Sequence, residues 1–216
     1  MRKKSHISLA KYLMDNMNVN DLNNHWKSFY IGSILPDLKP SFLIKRHNIE
    51  ETFDILIEEI RKITVDYNIE QGINGYFARH LGVITHYLAD YFTFPHNSDF
   101  EGSLKEHCVY EKDLKLSLKE YVAREDMQRE RCKNGKYKTI DDIIHVIQMT
   151  HAEYRKAVKS IKVDMHYIVD LCYKVVDAIL QFFEFAYKTF RTFKEGKKLS
   201  TEFIFRSSEY IIVDMK

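Results

Sequence analysis

Prolines are confined to the first half of this chain. Only three Pro and seven Gly occur among 216 residues, and the last proline is Pro95. Proline removes a backbone N–H donor and its ring clashes inside a helix, so a chain this poor in Pro and Gly favours long helices. A chain of this length also fits one ordinary domain. We therefore expect an all-α, multi-helix bundle that forms a single domain over residues 1–216.

Apolar spacing and capping residues predict where the helices lie. Ser5 is expected to N-cap a first helix, in which apolar residues recur at 3-4-3 spacing from Ile7 to Met17. Pro95 is expected to stop the fourth helix. After the first helix, the others are predicted over residues 22–31, 50–67, 72–94, 104–130, 140–159 and 162–193. Residues 132–138 are predicted to form a loop, and the tail at 201–213 suits either a strand or a docked helix.

Charge, hydropathy and cysteine content restrict partners and compartment. The formal net charge is +2, which gives no electrostatic reason to expect a nucleic acid partner. No stretch reaches the roughly 18 apolar residues of a membrane-spanning helix, so no transmembrane segment is expected. His6 and Lys11 interrupt the apolar run that a signal peptide needs, and the three cysteines form no CxxC pair. We expect a soluble cytoplasmic protein, whose oligomeric state stays open.

Two pairs of potential metal ligands have helical spacing. His86 and Asp90 are four residues apart in a predicted helix, which places both side chains on one face. His96 follows the proline that ends this helix, and His107 and Glu111 repeat the same spacing on the next helix. Imidazole and carboxylate groups suit Zn²⁺, and an ion that also holds water needs only about three protein ligands.

Three further ligands precede these pairs, and the ordered set is more specific than any of its parts. His6 lies on the first predicted helix, Asp37 lies in a turn that contains a proline, and His47 follows ten residues later. The succession H…GSILPD…H…HxxxDxxxxxH…HxxxE resembles the bacterial zinc-dependent phospholipase C family, which is related to the fungal-type zinc nucleases. It is made here by His6, residues 32–37, His47, His86, Asp90, His96, His107 and Glu111.

The resemblance implies an all-helical fold with a cluster of two or three Zn²⁺ ions that hydrolyses phosphoric esters. Asp37 would also orient the attacking water or act as general base. The implied substrate is a small or lipid-derived phosphoester. One ion would be held by Asp37, His47, His86 and Asp90, a second by His96, His107 and Glu111, and a third by His6 and Asp90, so that Asp90 bridges two ions.

The chain departs from the family pattern at two places. Secreted members complete the third site with an N-terminal Trp, whereas the only Trp here is Trp26. Met1 would reach the cluster only if the basic segment before His6 folds back across it. Leu38 and Ile44 stand where choline-specific members carry aromatic residues. An aromatic cage for a quaternary ammonium group is therefore not supported.

Other histidines and aromatic residues are expected to be structural. His80 lies six residues before His86, on a different side of the helix, and is expected to be structural or at the rim. The aromatic cluster between Phe182 and Phe193 is expected to pack in the core. Four histidines are expected to be ordinary surface or core residues: His25, His145, His151 and His166.

Two alternatives to a phospholipase C-like enzyme stay open. A zinc nuclease or nucleotidase shares the cluster, although such proteins commonly end it with HxxxD, whereas His107 and Glu111 form HxxxE here. A non-catalytic metal-binding or regulatory protein could retain the ligands without a substrate pocket. An HD-type phosphohydrolase is disfavoured because the sequence contains no adjacent His-Asp dipeptide.

Overall fold

The computed structural model describes residues 1–38, 45–132, 137 and 139–195. Within these ranges the chain forms eight α-helices and no strand, which confirms the predicted all-α fold. The helices are α1 (Lys3–Met17), α2 (Asn20–Asn23), α3 (Trp26–Ile34), α4 (Ile49–Lys62), α5 (Gly75–Tyr91), α6 (Leu104–Val122), α7 (Ile140–Lys156) and α8 (Ile161–Lys194). Short 3₁₀ turns lie at Pro36–Leu38, Ile69–Gln71, Phe94–His96 and Glu125–Met127.

The beginning of the chain differs from the prediction in two ways. Ser5 does not cap α1, which already begins at Lys3, with Arg2 at the N-cap position and no side-chain cap. Ser5 is instead buried within the helix, because the chain folds inward from Met1 onward. The predicted second helix is also two helices, separated at Asn24 and His25, both of which have low helix propensity.

Four predicted helices end earlier than expected. The helices predicted to reach residues 67, 94, 130 and 159 end at Lys62, Tyr91, Val122 and Lys156. Several starts are set by capping side chains, as at α5, where the Asn74 side chain accepts from the backbone N–H groups of Tyr76 and Phe77. Most of the predicted loop at 132–138, the whole tail at 201–213 and Ile44 lie outside the described residues.

Helix α5 is the centre of the fold, and two glycines allow α3 to pack directly against it. A Cβ atom on Gly82 would lie 2.2 Å from the carbonyl oxygen of Phe29, and one on Gly32 would lie 2.0 Å from that of Arg79. No side chain fits at either position, so the two helix backbones are in contact. This contact places the C-terminal end of α3 beside the metal-ligand face of α5.

The long helix α8 packs against α5, α6 and α7 and closes the core on the other side. Phe183 is buried against Phe77, as expected of the aromatic cluster, whereas Phe193 at its end is exposed. Cys108 and Cys172 are free thiols. Within the described ranges, none of the helices is both long enough and apolar enough to cross a lipid bilayer.

Candidate metal centre

The fold brings the eight predicted ligand residues to one place, although they come from six separate segments. His6 lies on α1, Asp37 on the 3₁₀ turn after α3, and His47 just before α4. The other five are carried by α5, the 3₁₀ turn at Phe94–His96, and α6. Seven of them form two groups, a first of Asp37, His47, His86 and Asp90 and a second of His96, His107 and Glu111. Within each group the potential ligand atoms all lie within 4.8 Å of one another.

In the first group, two imidazole rings point nitrogen atoms at each other and at one carboxylate. His86 Nε2 lies 2.9 Å from His47 Nδ1 and 3.2 Å from Asp90 Oδ2. Asp37 Oδ1 completes the group at 3.6 Å from His86 Nε2 and 3.7 Å from His47 Nδ1. Two ring nitrogens and two carboxylates facing one point are a donor set that suits Zn²⁺.

The backbone of α3 fixes the orientation and tautomer of His86. The Nδ1–H group of His86 donates to the carbonyl oxygen of Ser33 at 2.9 Å. Because a neutral imidazole carries one proton, the Nε2 atom is left as a lone pair that points into the group. Metal-binding histidines commonly have such a carbonyl acceptor on the other ring nitrogen. The close α3–α5 contact at Gly82 is what brings Ser33 within reach.

Asp90 links the first group to His6 and to the Met1 amino group, because its two oxygen atoms face different neighbours. Its Oδ2 atom faces the rings of the first group, while Oδ1 lies 3.3 Å from His6 Nε2 and 2.6 Å from the amino nitrogen of Met1. Burial alone would raise the pKa of Asp90, but the Met1 ammonium and the imidazoles of His96 and His86 hold it well below its usual range. The carboxylate is therefore ionised at neutral pH, as a metal ligand must be.

The second group is centred on one oxygen atom of Glu111. Its Oε1 atom lies 3.2 Å from His96 Nε2 and 3.3 Å from His107 Nε2. Burial acts to raise the pKa of Glu111, but hydrogen bonds from His107 and His96 lower it strongly. Burial and the Met1 ammonium lower the pKa of His96, which favours its neutral form. The Glu111 carboxylate and the His96 imidazole are thus in the protonation states of metal ligands.

His6 is a buried histidine that lies beside the first group. Its ring stacks on that of His86 with centroids 4.0 Å apart, and its Nε2 atom is buried without a hydrogen-bond partner among the described residues. Burial, followed by the nearby His86, lowers the pKa of His6 to about 3. An unpaired buried nitrogen lone pair is costly unless another group binds it. The ring faces Asp90, so a cation at that point would satisfy both.

The amino nitrogen of Met1 lies between the two groups. It donates to Asp90 Oδ1 at 2.6 Å and to His96 Nε2 at 2.7 Å, and it lies 3.1 Å from Glu111 Oε1. Burial lowers the pKa of this ammonium, but the carboxylates of Asp90 and Glu111 outweigh that effect and raise it. The basic segment before His6 folds back across the cluster, and in this way Met1 reaches the ligand residues.

The residues present fit zinc on three observations of this structure. The Nε2 lone pair of His86 points into the first group, and His6 Nε2 has no hydrogen-bond partner among the described residues. The neutral His6 imidazole and the ionised Asp90 carboxylate are the ligand forms that Zn²⁺ requires. All donors are nitrogen or oxygen, with no thiolate, which is typical of hydrolytic rather than structural zinc sites.

A buried carboxylate on α8 holds the second group in place. Asp164 Oδ2 accepts from the backbone N–H of Phe94 at 2.8 Å and from the Tyr110 hydroxyl at 2.9 Å. Its Oδ1 atom accepts from the Tyr154 hydroxyl at 2.7 Å. Phe94 begins the 3₁₀ turn that carries His96, and Tyr110 directly precedes Glu111. Asp164 therefore ties both ligand-bearing segments of this group to α8.

The remaining histidines lie outside both groups. His80 contacts Glu59 of α4, on another side of α5 from His86, and His151 is buried and bonded to Asn97 Oδ1 at 3.0 Å. His145 and His166 are exposed, and His25 is half-buried at the start of α3. None of them shares a group with the ligands, in keeping with the structural roles expected from the sequence.

A cleft of about 1020 Å³ opens over the centre. Its lining includes Asp37, His47, His96, His107 and Glu111. Asp90 and His86 lie beneath it and are inaccessible to solvent. The arrangement is therefore an enclosed ligand cluster with one open side, toward which a substrate can approach.

Sequence reasoning missed the supporting contacts of Ser33 and Asp164. Ser33 lies inside the GSILPD segment, so the ligand pattern did point to this part of the chain. The acceptor, however, is a backbone carbonyl, which any residue type provides, so its role could not be predicted from the residue itself. Asp164 carries no motif and follows Glu111 by more than fifty positions, so no local pattern indicated it.

Comparison with known proteins supports one family. The sequence model described as zinc dependent phospholipase C matches residues 5–161, which include all eight candidate ligands. A search of curated proteins and a search of solved structures found no match.

Proposed function

Because this chain belongs to the zinc-dependent phospholipase C family, we propose that it is a metal-dependent hydrolase of phosphoric esters, a phospholipase C-like phosphodiesterase with two or three Zn²⁺ ions. The observation that carries the proposal is the convergence of two separate ligand groups beneath one open cleft. Bound zinc would lower the pKa of a water toward neutrality and neutralise charge on the phosphoryl oxygens.

We propose that each group holds one ion and that Asp90 bridges toward a third position. The first ion would be held by Asp37, His47, His86 and Asp90, and the second by His96, His107 and Glu111. The third position would be held by His6 and Asp90. The unpaired Nε2 atom of His6 and its 3.3 Å distance from Asp90 Oδ1 support this assignment.

Asp37 is the carboxylate of the first group that is best placed to act on water. It lines the cleft, whereas Asp90 is fully buried. A water molecule in the cleft can therefore reach Asp37, which would orient it or take its proton as general base. Asp90 would act only by holding cations, because nothing in the cleft reaches it.

The cleft suits a phosphodiester but lacks support for a choline cage. Its volume of about 1020 Å³ accommodates a headgroup with part of its leaving group. Leu38, which directly follows Asp37, is exposed and aliphatic, so it provides no aromatic face for a quaternary ammonium group. The proposed reaction therefore does not include a preference for phosphatidylcholine.

Zinc content and turnover measured on the same preparations would test the proposal. We expect two or three zinc ions per chain by mass spectrometry, and hydrolysis of bis(p-nitrophenyl) phosphate that stops on chelation and returns with zinc. Zinc-loaded protein that hydrolyses neither phosphodiesters nor phosphomonoesters would instead support the non-catalytic alternative. Protein that binds no zinc after careful loading would refute both.

A further inference from the structure

The cleft over the metal centre is lined by positive charge. Its only acidic lining residues among those described are Asp37 and Glu111, which are both candidate ligands. The chain as a whole carries a formal charge of only +2, so this excess is local. Six basic residues line the cleft: Arg2, Lys3, Lys4, Lys45, Arg46 and Lys115.

These six basic side chains have no acidic partner among the described residues. Elsewhere in the described ranges, half-buried basic residues are paired, as Arg131 is with Asp177 and Arg155 with Glu50, whereas the half-buried Arg2 and Lys115 of the cleft are not. The Arg2 guanidinium makes one hydrogen bond, to the carbonyl oxygen of Cys108 at 2.8 Å. Like charges gathered in a concave surface repel one another and focus a positive potential into it. The arrangement is therefore unfavourable for folding alone and suits an anionic ligand.

The metal centre by itself already provides enough positive charge for one phosphodiester. Even two Zn²⁺ ions carry more positive charge than the carboxylates of Asp37, Asp90 and Glu111 carry negative charge. A phosphodiester bears a single negative charge, which such a centre would balance without help. The basic side chains around the cleft are therefore not needed to neutralise the scissile phosphodiester. They match negative charge on another part of the substrate.

We propose that the substrate is a phosphodiester whose headgroup carries at least one further phosphate group. This inference rests on the proposed hydrolase function and names its substrate class. A phosphomonoester contributes roughly −1.5 to −2 of charge near neutral pH and three acceptor oxygens, which match lysine and arginine donors. A zwitterionic amine headgroup would instead place a cation beside these side chains.

The positions of the cations on the fold suit a second phosphate next to the scissile one. Lys115 lies four residues after Glu111 on α6, so its side chain is on the same face, one helical turn from the second ligand group. Lys4 lies two residues before His6 at the start of α1, and Lys45 and Arg46 directly precede His47. Each cation is thus close in the chain to a ligand, and together they surround the cleft mouth.

The lining favours a phosphorylated headgroup over a nucleic acid strand. Proteins that hold single strands stack bases on several aromatic side chains along an extended groove. Among the described residues that line this cleft, Phe100 is the only one with a Phe, Tyr or Trp ring. Charge without a stacking surface suits a compact polyanion.

The test compares monomeric short-chain lipids that differ only in headgroup charge, with zinc-loaded full-length protein. We expect kcat/KM for phosphatidylinositol 4-phosphate to exceed that for phosphatidylcholine by about tenfold or more. The ratio should fall as salt is raised from about 50 to about 200 mM, because exposed charges are screened. Short-chain lipids below their micellar concentration separate recognition of the headgroup from attraction to a charged membrane surface.

Two matched double variants locate the effect. Lys4→Gln/Lys115→Gln removes two cations from the cleft, whereas Lys119→Gln/Lys156→Gln removes two exposed lysines that do not line it. Lysine and glutamine have similar helix propensities, so folding is little affected by either change. We expect the first variant to lower the ratio of the two kcat/KM values at least about threefold, and the control to leave it unchanged.

The possible results distinguish this inference from the proposed function. Turnover of bis(p-nitrophenyl) phosphate with equal use of both lipids, or a ratio unchanged in the cleft variant, would overturn the inference and leave the hydrolase intact. Preferred cleavage of an oligonucleotide would overturn it in favour of a nuclease. If no substrate is turned over, calorimetry still decides: the inference requires tighter binding of inositol 1,4-bisphosphate than of phosphocholine, weakened in the cleft variant.

Discussion

Replacing Asp164 with asparagine is expected to stabilise the protein at neutral pH, although Asp164 is fully buried and accepts three hydrogen bonds. Burial raises the pKa of Asp164 from 3.8 to about 6. Four groups oppose this rise without cancelling it: the Phe94 N–H, the Tyr154 and Tyr110 hydroxyls and the Lys159 ammonium. At pH 7 the folded protein therefore holds a carboxylate whose ionisation costs more free energy than it does in the unfolded chain.

The pKa shift sets the size and sign of the effect. Between pH 4 and pH 6 Asp164 binds more of a proton in the folded protein than in the unfolded chain, so its contribution to the free energy of unfolding falls as pH rises through this range. A shift of about two units corresponds to about 3 kcal/mol at pH values above the folded pKa. Asparagine resembles the protonated carboxyl in shape and never ionises. The advantage of Asp164→Asn over the wild type should therefore grow from near zero at about pH 4 to at most about 3 kcal/mol at pH 7.

Urea unfolding of both proteins, followed by circular dichroism in chelator at several pH values, measures this difference directly. Subtracting the two curves removes the titration of the metal-ligand residues, which both proteins share. Asp177→Asn on the same helix is the control, because Asp177 pairs with Arg131 at 2.7 Å and its loss should destabilise by about 1–3 kcal/mol. A difference between Asp164→Asn and wild type that is flat with pH, or that favours aspartate at pH 7, would refute the reasoning.

Alanine at the same position should separate stability from metal binding. Asp164→Ala leaves the Tyr154 hydroxyl and the Phe94 N–H without their acceptor, at about 1–3 kcal/mol each relative to the asparagine variant. Because Phe94 begins the turn that carries His96, zinc affinity of the second group should also fall. Equal zinc affinity in the alanine and asparagine variants would show that Asp164 does not position this group.

Three further outcomes follow from the site and the fold. His86→Ala and Asp90→Asn should each lose zinc and activity. His80→Ala alters a contact outside both ligand groups and should keep zinc and activity. Equal zinc loss in all three variants, measured by mass spectrometry, would contradict the ligand assignment. Saturating zinc should raise the free energy of unfolding by about 4 kcal/mol for each site at a thousandfold excess over its Kd, and a melting temperature insensitive to zinc would count against binding to the folded state. Gly82→Ala should cost about 3 kcal/mol, because its Cβ would lie 2.2 Å from a backbone oxygen of α3; an unchanged urea midpoint would show that the two helices separate easily.

The sequence determined the all-α class and the family. Scarce glycine and proline and the spacing of apolar residues predicted the long helices, and the ordered histidines and carboxylates indicated the family that the comparison supports. Helix ends were less predictable, because caps such as Asn74 compete with neighbouring polar residues that look equally suitable. The ligand assignment itself stays a prediction until metal is measured.

Tertiary structure decided which groups act together around those ligands. Two helices meet at Gly32 and Gly82, and only that contact brings the Ser33 carbonyl to His86. Asp164 contacts the segments of the second group from α8, a helix that carries no ligand of that group. Lysines that are far apart in the sequence line one cleft only because α1 and α6 pack together. Periodicity and spacing are local properties that a sequence displays directly. The distance between a backbone carbonyl and a ring nitrogen fifty residues away depends on how whole helices pack.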